Sequence, residues 1–303
     1  MSDTFFTASP HWGGWVVLYF FVGGIAGGSL VLAGLLHLVG QAEDRPVVRM
    51  GYWVALIGAV ISGALLTIDL TRPLRFWHML IQSETGLPIM KAWSPISVGA
   101  WGLLAFSAVA GLGGLGALGE VRARWSRFGA MARGVPGILT ALLAIPAGLF
   151  LAGYTGVLLA VTNRPVWADS LWLGPLFLFS GLSAALAFLA LAGRNHASST
   201  TLDRMHRVDR PMLLLELIAL AVFLVSLGPV VRVWLGLGGA VLALGVVGAG
   251  ILVPLGLLGR GRAGEPPTRM ALVLVIAGSF LLRLVILTTS ESIHAVGSGV
   301  AGG

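Results

Sequence analysis

Residues Gly134–Val161 read GVPGILTALLAIPAGLFLAGYTGVLLAV, 28 consecutive positions without a charged side chain. Wound as an α-helix at about 1.5 Å per residue, such a run reaches roughly 40 Å, more than the ~30 Å hydrocarbon core of a bilayer. Comparable apolar runs recur on both sides of it. Trp12–Leu38, Met50–Leu70 and Pro95–Leu118 come before, and Ser170–Ala192, Met212–Gly228, Trp234–Leu258 and Met270–Thr289 follow. Between Met212 and Leu258 the only break is Gly228, Pro229 and the short segment to Arg232, so one broken helix is the alternative there; the total length favours two spans. The whole chain agrees: of 303 residues 57% are hydrophobic and only 10% charged, with a mean hydropathy of +0.94. In hydrocarbon every backbone amide needs an internal partner, which open sheets do not provide. The expected fold is therefore all-α and integral to the membrane, a single domain of about eight transmembrane helices arranged as two four-helix bundles.

Eight crossings put both termini on one side, here called side A, with the loops Thr71–Ser94 and Thr162–Asp169 and the turn at Arg232. Side A carries Arg72, Arg75, Lys91, Arg164 and Arg232, five cations. The opposite loops, side B, carry thirteen: Arg45, Arg49, Arg122, Arg124, Arg127, Arg133, Arg194, Arg204, Arg207, Arg210, Arg260, Arg262 and Arg269. Short loops rich in arginine stay in the cytoplasm, so side B is expected inside and both termini outside, in the periplasm of a Gram-negative cell. The same distribution accounts for the net charge of +7; no dense basic run points to nucleic acid. The opening MSDTFFTASPHWGG has no basic segment and leads into a run long enough to span, so it reads as a retained helix rather than a cleaved signal.

No cysteine is present. Disulfides, thiolate nucleophiles and thiolate-held iron–sulfur clusters are thereby excluded from this chain. The six histidines give no pair at matched depth on facing helices, as axial haem ligation needs: His11, His78 and His294 lie towards side A, His37, His196 and His206 towards side B. No haem is expected. Glycine runs such as Gly23-Gly24-Ile25-Ala26-Gly27-Gly28 and Gly111-Leu112-Gly113-Gly114 read as close helix packing, because no strand precedes them and no GK[ST] follows.

Ionisable and hydrogen-bonding groups within the apolar runs mark candidate sites, since lipid makes them costly. Asp69 ends the second run on side A, and Arg283 lies about two turns in from the side A end of the last. Tyr19 on the first helix and Tyr154 on the fourth lie at a similar depth, roughly 10 Å from the same surface. Alternatively, Asp69 pairs with Arg72, Arg75 or Arg283 simply to staple helices, and the tyrosines are interfacial anchors. Glu216 reads as a carboxylate in the first turns of the sixth helix near side B, partnered by Arg210, with proton uptake as the second reading. Eight of the ten tryptophans (Trp12, Trp15, Trp77, Trp93, Trp101, Trp167, Trp172 and Trp234) fall towards side A. That excess suggests a docking surface or the rim of an aromatic pocket.

Several of these stretches resemble the NrfD/PsrC-like family, the membrane subunits of polysulfide reductase and related complexes. They are Thr67-Ile68-Asp69-Leu70-Thr71-Arg72-Pro73-Leu74-Arg75-Phe76 followed by Ser94-Pro95-Ile96-Ser97-Val98-Gly99-Ala100-Trp101, then Ala152-Gly153-Tyr154-Thr155-Gly156-Val157-Leu158-Leu159, Pro165-Val166-Trp167 and Leu176-Phe177-Leu178-Phe179-Ser180-Gly181. The opening Tyr19–Gly28 and the closing Gly278-Ser279-Phe280-Leu281-Leu282-Arg283 are similar to that family's first and last helices. The resemblance implies a quinone-reactive anchor of a respiratory oxidoreductase in the prokaryotic cytoplasmic membrane. It would take menaquinone or ubiquinone, carry no haem or cluster of its own, and be bound to an external iron–sulfur subunit and a molybdopterin catalytic subunit.

By the same resemblance the quinone pocket lies near the outer surface, and its contacts fall on Tyr19 and Tyr154. Some members have histidine where this chain has Tyr19; His11 or His78 is the expected substitute here. Asp69, with Arg72 or Arg283 balancing its charge, is the expected proton relay, and proton translocation is a further expectation. A solute or ion transporter is the alternative, though transporters gather polar groups at the midplane, and here they lie off it.

Overall fold

The computed structural model describes residues 12, 14–260 and 268–297. Long helices form α1 (Gly14–Val39), α2 (Arg45–Asp69), α3 (Pro95–Val121), α4 (Gly134–Ala160), α5 (Leu173–Ala192) and α6 (Ser199–Ser226). They are followed by α7 (Leu237–Gly259) and α8 (Arg269–Gly297). Seven of these are long and apolar enough to cross a membrane, and α6 with the turn after it makes up to eight. The protein is an all-α integral membrane protein.

Packing divides the helices into two groups. In the first, α1 packs on α2 and α4, and α3 closes the ring between α2 and α4. In the second, α5 packs on α6 and α8, and α7 lies against α8 and touches α6. Contacts of α1 and α4 with α5, and of α1 with α8, join the two bundles. The Gly23–Gly28 run serves packing within and between the bundles: a Cβ on Gly27 would sit 2.8 Å from the Gly148 carbonyl of α4, within the first bundle, and one on Gly28 would sit 2.7 Å from the Gly181 carbonyl of α5, across the junction. These glycines let backbones touch where no side chain fits. In the other run, Gly113 admits the Tyr52 ring, whereas Gly111 faces open space.

Local chemistry sets several helix ends. Ser94 caps α3 by accepting from Ser97 N, with Pro95 in the first turn, and Ser198 caps α6 by accepting from Thr201 N at 3.0 Å. Gly228, at φ 54°, ends α6 and turns the chain by 109° into the short 3₁₀ segment Gly228–Leu235. Most of α7, Val241–Leu252, is wound as a π-helix.

The sixth helix departs from the expectation of Met212–Gly228, starting 13 residues earlier at Ser199. Its added turns hold Asp203, Arg204 and Arg207, which interrupt hydropathy but not the helix, because each charge is paired. Arg207 bonds Asp203 one turn back at 3.2 Å, and Arg204 reaches Glu43 and Asp44 at 2.8 Å each. Asp44 is fully buried and also accepts from Thr201 Oγ1 at 2.6 Å and Gln41 N at 2.8 Å, tying the α1–α2 turn to α6 on side B. The earlier start moves Glu216 to about 25 Å from the helix N-terminus. It is 3% exposed, so the surface pairing expected with Arg210 is replaced by a place in the core.

Candidate functional site

A cavity of about 260 Å³ opens among the side A ends of α1, α2, α3 and α4. Tyr19 and Phe20 from α1, Gly63, Leu66, Thr67 and Asp69 from α2, Ile96, Gly99 and Leu103 from α3, and Tyr154 and Leu158 from α4 line it. The loop after α2 supplies Phe76, Met79 and Leu80, and Trp12 borders it as well. That loop runs through a 3₁₀ turn, Pro73–Met79, and a pinched pair at Ile81 and Pro88. It is pinned to α3 where the Trp101 indole donates to Ile89 O at 2.9 Å and Lys91 N donates to Ser97 Oγ at 3.1 Å. The walls are apolar, and the polar groups are two phenols, a threonine and one carboxylate.

Three of the residues singled out in the sequence, Tyr19, Asp69 and Tyr154, thus border one space. Tyr154 is placed by a glycine: a Cβ on Gly99 would overlap the phenol, so only glycine lets the ring lie flat along α3. The Tyr154 hydroxyl donates to the Pro95 carbonyl, at the first turn of α3, and the ring stacks on Phe150 with centroids 5.0 Å apart. Tyr19 is buried, its ring tilted against Phe20 at 5.3 Å. Asp69 is half-buried at the end of α2, and among the described residues no cation lies within ion-pair distance of it.

The expected charge balance is corrected here. Arg72 is exposed on the loop, and Arg283 does not enter the cavity. Arg283 belongs to α8, which packs on α7, α5 and α1. Its Nε donates to Phe20 O at 3.0 Å, Nη1 to Ser279 Oγ at 2.6 Å, Ser279 O at 2.8 Å and Ser180 Oγ at 3.2 Å, and Nη2 to Phe177 O at 3.3 Å. It is fully buried among these partners.

His78 stands apart from the cavity too. It is exposed, stacks on Trp77 at 3.7 Å, and borders a second, more polar cavity of about 380 Å³ with Gln82, Lys91 and Ser97; Met79 and Ile96 separate the two spaces. His11 lies outside the described residues.

The tryptophans of side A differ in exposure, with Trp12 and Trp101 intermediate. Trp15, Trp77, Trp93 and Trp172 are exposed, as a docking surface requires. Trp167 and Trp234 are buried instead: the Trp167 indole donates to Ile286 O at 2.9 Å and stacks on Trp12 at 5.4 Å. Val166, just before it, takes a φ of 72°, rare for a β-branched residue, and its N–H is held by Asp169 Oδ2 at 2.8 Å. This strained corner turns the indole inward against the aromatic neighbour of the cavity.

Sequence reasoning singled out Glu216 and Arg283 separately but missed the polar row they share behind the cavity. From side B it runs through Asp209, which accepts from Ser183 Oγ at 2.7 Å, then the buried Glu216, and then Ser180, Ser279 and Arg283, joined by hydrogen bonds. Asp209, Leu213, Glu216, Leu220 and Phe223 follow one buried face of α6. That spacing was the available signal, hidden by placing the helix start too late.

Comparison with known proteins gives a consistent match. A family model described as "Polysulphide reductase, NrfD" matches residues 3–295. Protein NrfD of Escherichia coli is 30% identical, with 96% of this chain and 98% of that protein covered. One of the polypeptides of the polysulfide reductase of Wolinella succinogenes is 28% identical across 93% of this chain and 94% of its own. A shorter match, 26% identical over 28% of this chain and 20% of the relative, is to a component of the selenate reductase of Mesobacillus selenatarsenatis.

Proposed function

Since the chain belongs to the polysulphide reductase NrfD family, we propose that it is the quinone-reactive membrane subunit of a respiratory reductase complex. It exchanges electrons with an iron–sulfur partner subunit on side A. In this reading side A faces outward, the membrane is the prokaryotic cytoplasmic membrane, and the assembly also includes a molybdopterin subunit. Two relatives are named as parts of reductases, one of polysulfide reductase and one of selenate reductase, which supports a place in such complexes. The loop bias of five cations against thirteen supports the orientation.

The observation that carries the reading is the meeting of Tyr19, Asp69 and Tyr154 around one apolar space. A quinone ring supplies the electron chemistry itself, taking up or giving off two electrons and two protons. The protein's part is an apolar fit for the ring and hydrogen bonds to its two oxygens. The phenols of Tyr19 and Tyr154 provide such groups without bringing charge into lipid. The Tyr154 hydroxyl gives its own hydrogen to Pro95 O, so towards a quinol O–H it serves as acceptor. Asp69, at the end of α2 and half-buried, is placed to pass a proton between the cavity and side A.

The test uses the purified assembly, a short-chain quinol analogue, and reduction of the partner's clusters followed optically. The parent reduces them. Tyr154→Phe raises the apparent KM for the quinol, and Asp69→Asn slows turnover, while reduction of the clusters by an artificial donor is unchanged in both. Quinol kinetics equal to the parent in both variants would leave these residues structural and the quinone elsewhere.

A further inference from the structure

Arg283 and Glu216 are buried in the second bundle behind the cavity, and the proposed chemistry at Tyr19, Asp69 and Tyr154 uses neither. Arg283 is carried by α8, in the second bundle, yet its Nε bonds the carbonyl of Phe20 on α1 at 3.0 Å. Phe20 and its neighbour Tyr19 are both walls of the cavity. A helical carbonyl has two lone pairs, so a second donor can hold it without breaking the helix. The contact has been given room: a Cβ on Gly24, one turn along, would come within 2.6 Å of Arg283 Nη2. The guanidinium also lies 5.1 Å from the centre of the Phe177 ring, and that ring meets Phe20 edge-on at 6.2 Å. Backbone and side chain of Phe20 are thus both set by one cation and its aromatic neighbour.

Glu216 is the counter-charge. It lies buried on α6 facing Ser180, whose hydroxyl accepts from Arg283 Nη1 at 3.2 Å and donates to Ser279 Oγ at 3.0 Å. Both charges are out of water, and a buried cation whose counter-charge is removed loses most of what holds it in place. An ordinary staple between helices could sit at any depth; this one ends on the cavity wall.

We infer that Glu216 and Arg283 form a positioning pair for the cavity: Glu216 holds Arg283 on α1, and Arg283 fixes the Tyr19–Phe20 segment so that the Tyr19 phenol is presented to the quinone. The inference rests on the quinone reading of the cavity. It makes ligand affinity in the first bundle depend on a charge in the second.

The experiment measures kcat and KM for a short-chain quinol analogue in the assembled complex carrying Glu216→Gln, Arg283→Gln or Arg283→Lys. Thermal unfolding and artificial-donor reduction of the clusters serve as controls. Glu216→Gln and Arg283→Gln raise KM by about tenfold with kcat held within about twofold, and Arg283→Lys recovers part of the affinity. Should Arg283→Gln fail to assemble, Glu216→Gln and Arg283→Lys decide the matter. A KM equal to the parent in these two, while Tyr154→Phe raises it, overturns the positioning role and leaves the quinone site standing. A loss confined to kcat also overturns it, because the pair then moves protons rather than positioning the wall. If Tyr19→Phe and Tyr154→Phe both leave quinol kinetics untouched, the quinone reading itself is what fails.

Discussion

The two bundles treat polar groups in opposite ways. In α1–α4 the buried polar atoms are mostly neutral and several stand alone: Ser29 Oγ, His37 Nδ1, Tyr52 OH, Ser62 Oγ and Thr155 Oγ1 have no hydrogen-bond partner among the described residues. In α5–α8, with α1 as neighbour, charged side chains are buried outright: Arg283 is bonded to Ser180 and Ser279, Asp209 to Ser183 through one oxygen while its Oδ2 has no partner among the described residues, and Glu216 is buried on the same face of α6 as Asp209. A buried charge is costly without partners, and the partners it has fix the helices that share them. Lone hydroxyls impose no such constraint. The first bundle is therefore the one free to shape an apolar pocket, and the second is its frame.

The largest expected effect breaks the packing of α1 on α4 inside the first bundle. Gly27→Leu would drive a side chain into the backbone of Gly148 and Ala152, both within 2.8 Å of its Cβ position, and neither backbone can yield. No assembled complex is expected, as judged by membrane yield and size-exclusion chromatography. Gly111→Leu, where a Cβ meets nothing within 4 Å, should give the parent's yield. Equal yields for both would mean that the glycine run does not hold the helices together.

Orientation is next, and its outcome is all or none. The chain has no native cysteine, so single cysteines at Ser83 and Asn195, both exposed and on opposite sides, report topology directly. An impermeant thiol reagent applied to intact cells should label Ser83→Cys and spare Asn195→Cys. The reverse would move the cavity to the cytoplasmic half and leave the second bundle's carboxylate row opening outward.

A smaller change sharpens the account of the cavity without touching its polar atoms. Gly99→Ala must push the Tyr154 ring aside, and overpacking of this kind costs about 1–3 kcal/mol. The apparent quinol KM should rise by roughly tenfold, the equivalent of about 1.4 kcal/mol. Gly63→Ala, also on the cavity but with nothing within 4 Å of the added atom, should change KM far less. A similar response from both would show that the Tyr154 ring position does not govern binding.

How far the sequence could be read varied with what each feature depends on. Helix number follows from hydropathy, because the solvent is uniform, and a run such as Gly134–Val161 has one plausible solution. Tyr19, Asp69 and Tyr154 were grouped by depth, with the family resemblance adding to the case for the two tyrosines, and depth survives folding because it follows from position along each helix. Rotation about the helix axis does not follow from hydropathy when a helix is apolar all round, as α1 and α4 nearly are. Depth thus put Arg283 in the right layer, but only packing shows that it faces Phe20 and Ser180 rather than Asp69. The start of α6 was misplaced for a different reason. Asp203, Arg204 and Arg207 read as loop until Arg207 is seen paired with Asp203 and Arg204 with Glu43 and Asp44, some 160 positions earlier in the sequence.

The finest test compares two tyrosines within the first bundle, both buried and near opposite ends of it. Tyr19 lies on the cavity wall; Tyr52 packs against Gly113 near side B, and its hydroxyl has no partner among the described residues. Losing one neutral hydrogen bond to a ligand costs about 0.5–1.5 kcal/mol, and leaving a buried hydroxyl unsatisfied costs about 1–3 kcal/mol. The two phenylalanine variants should therefore diverge in sign as well as in readout. Tyr19→Phe should raise the quinol KM by roughly two- to tenfold with unfolding temperature unchanged, since it removes a contact made only to ligand. Tyr52→Phe should leave quinol kinetics as in the parent and unfold at a slightly higher temperature, since it removes a group the folded protein leaves unpaired. If Tyr19→Phe instead changes only stability, or Tyr52→Phe changes quinol binding, then the position of a hydroxyl along the bundle does not separate ligand contacts from packing, and the contrast between cavity and frame loses its chemical basis.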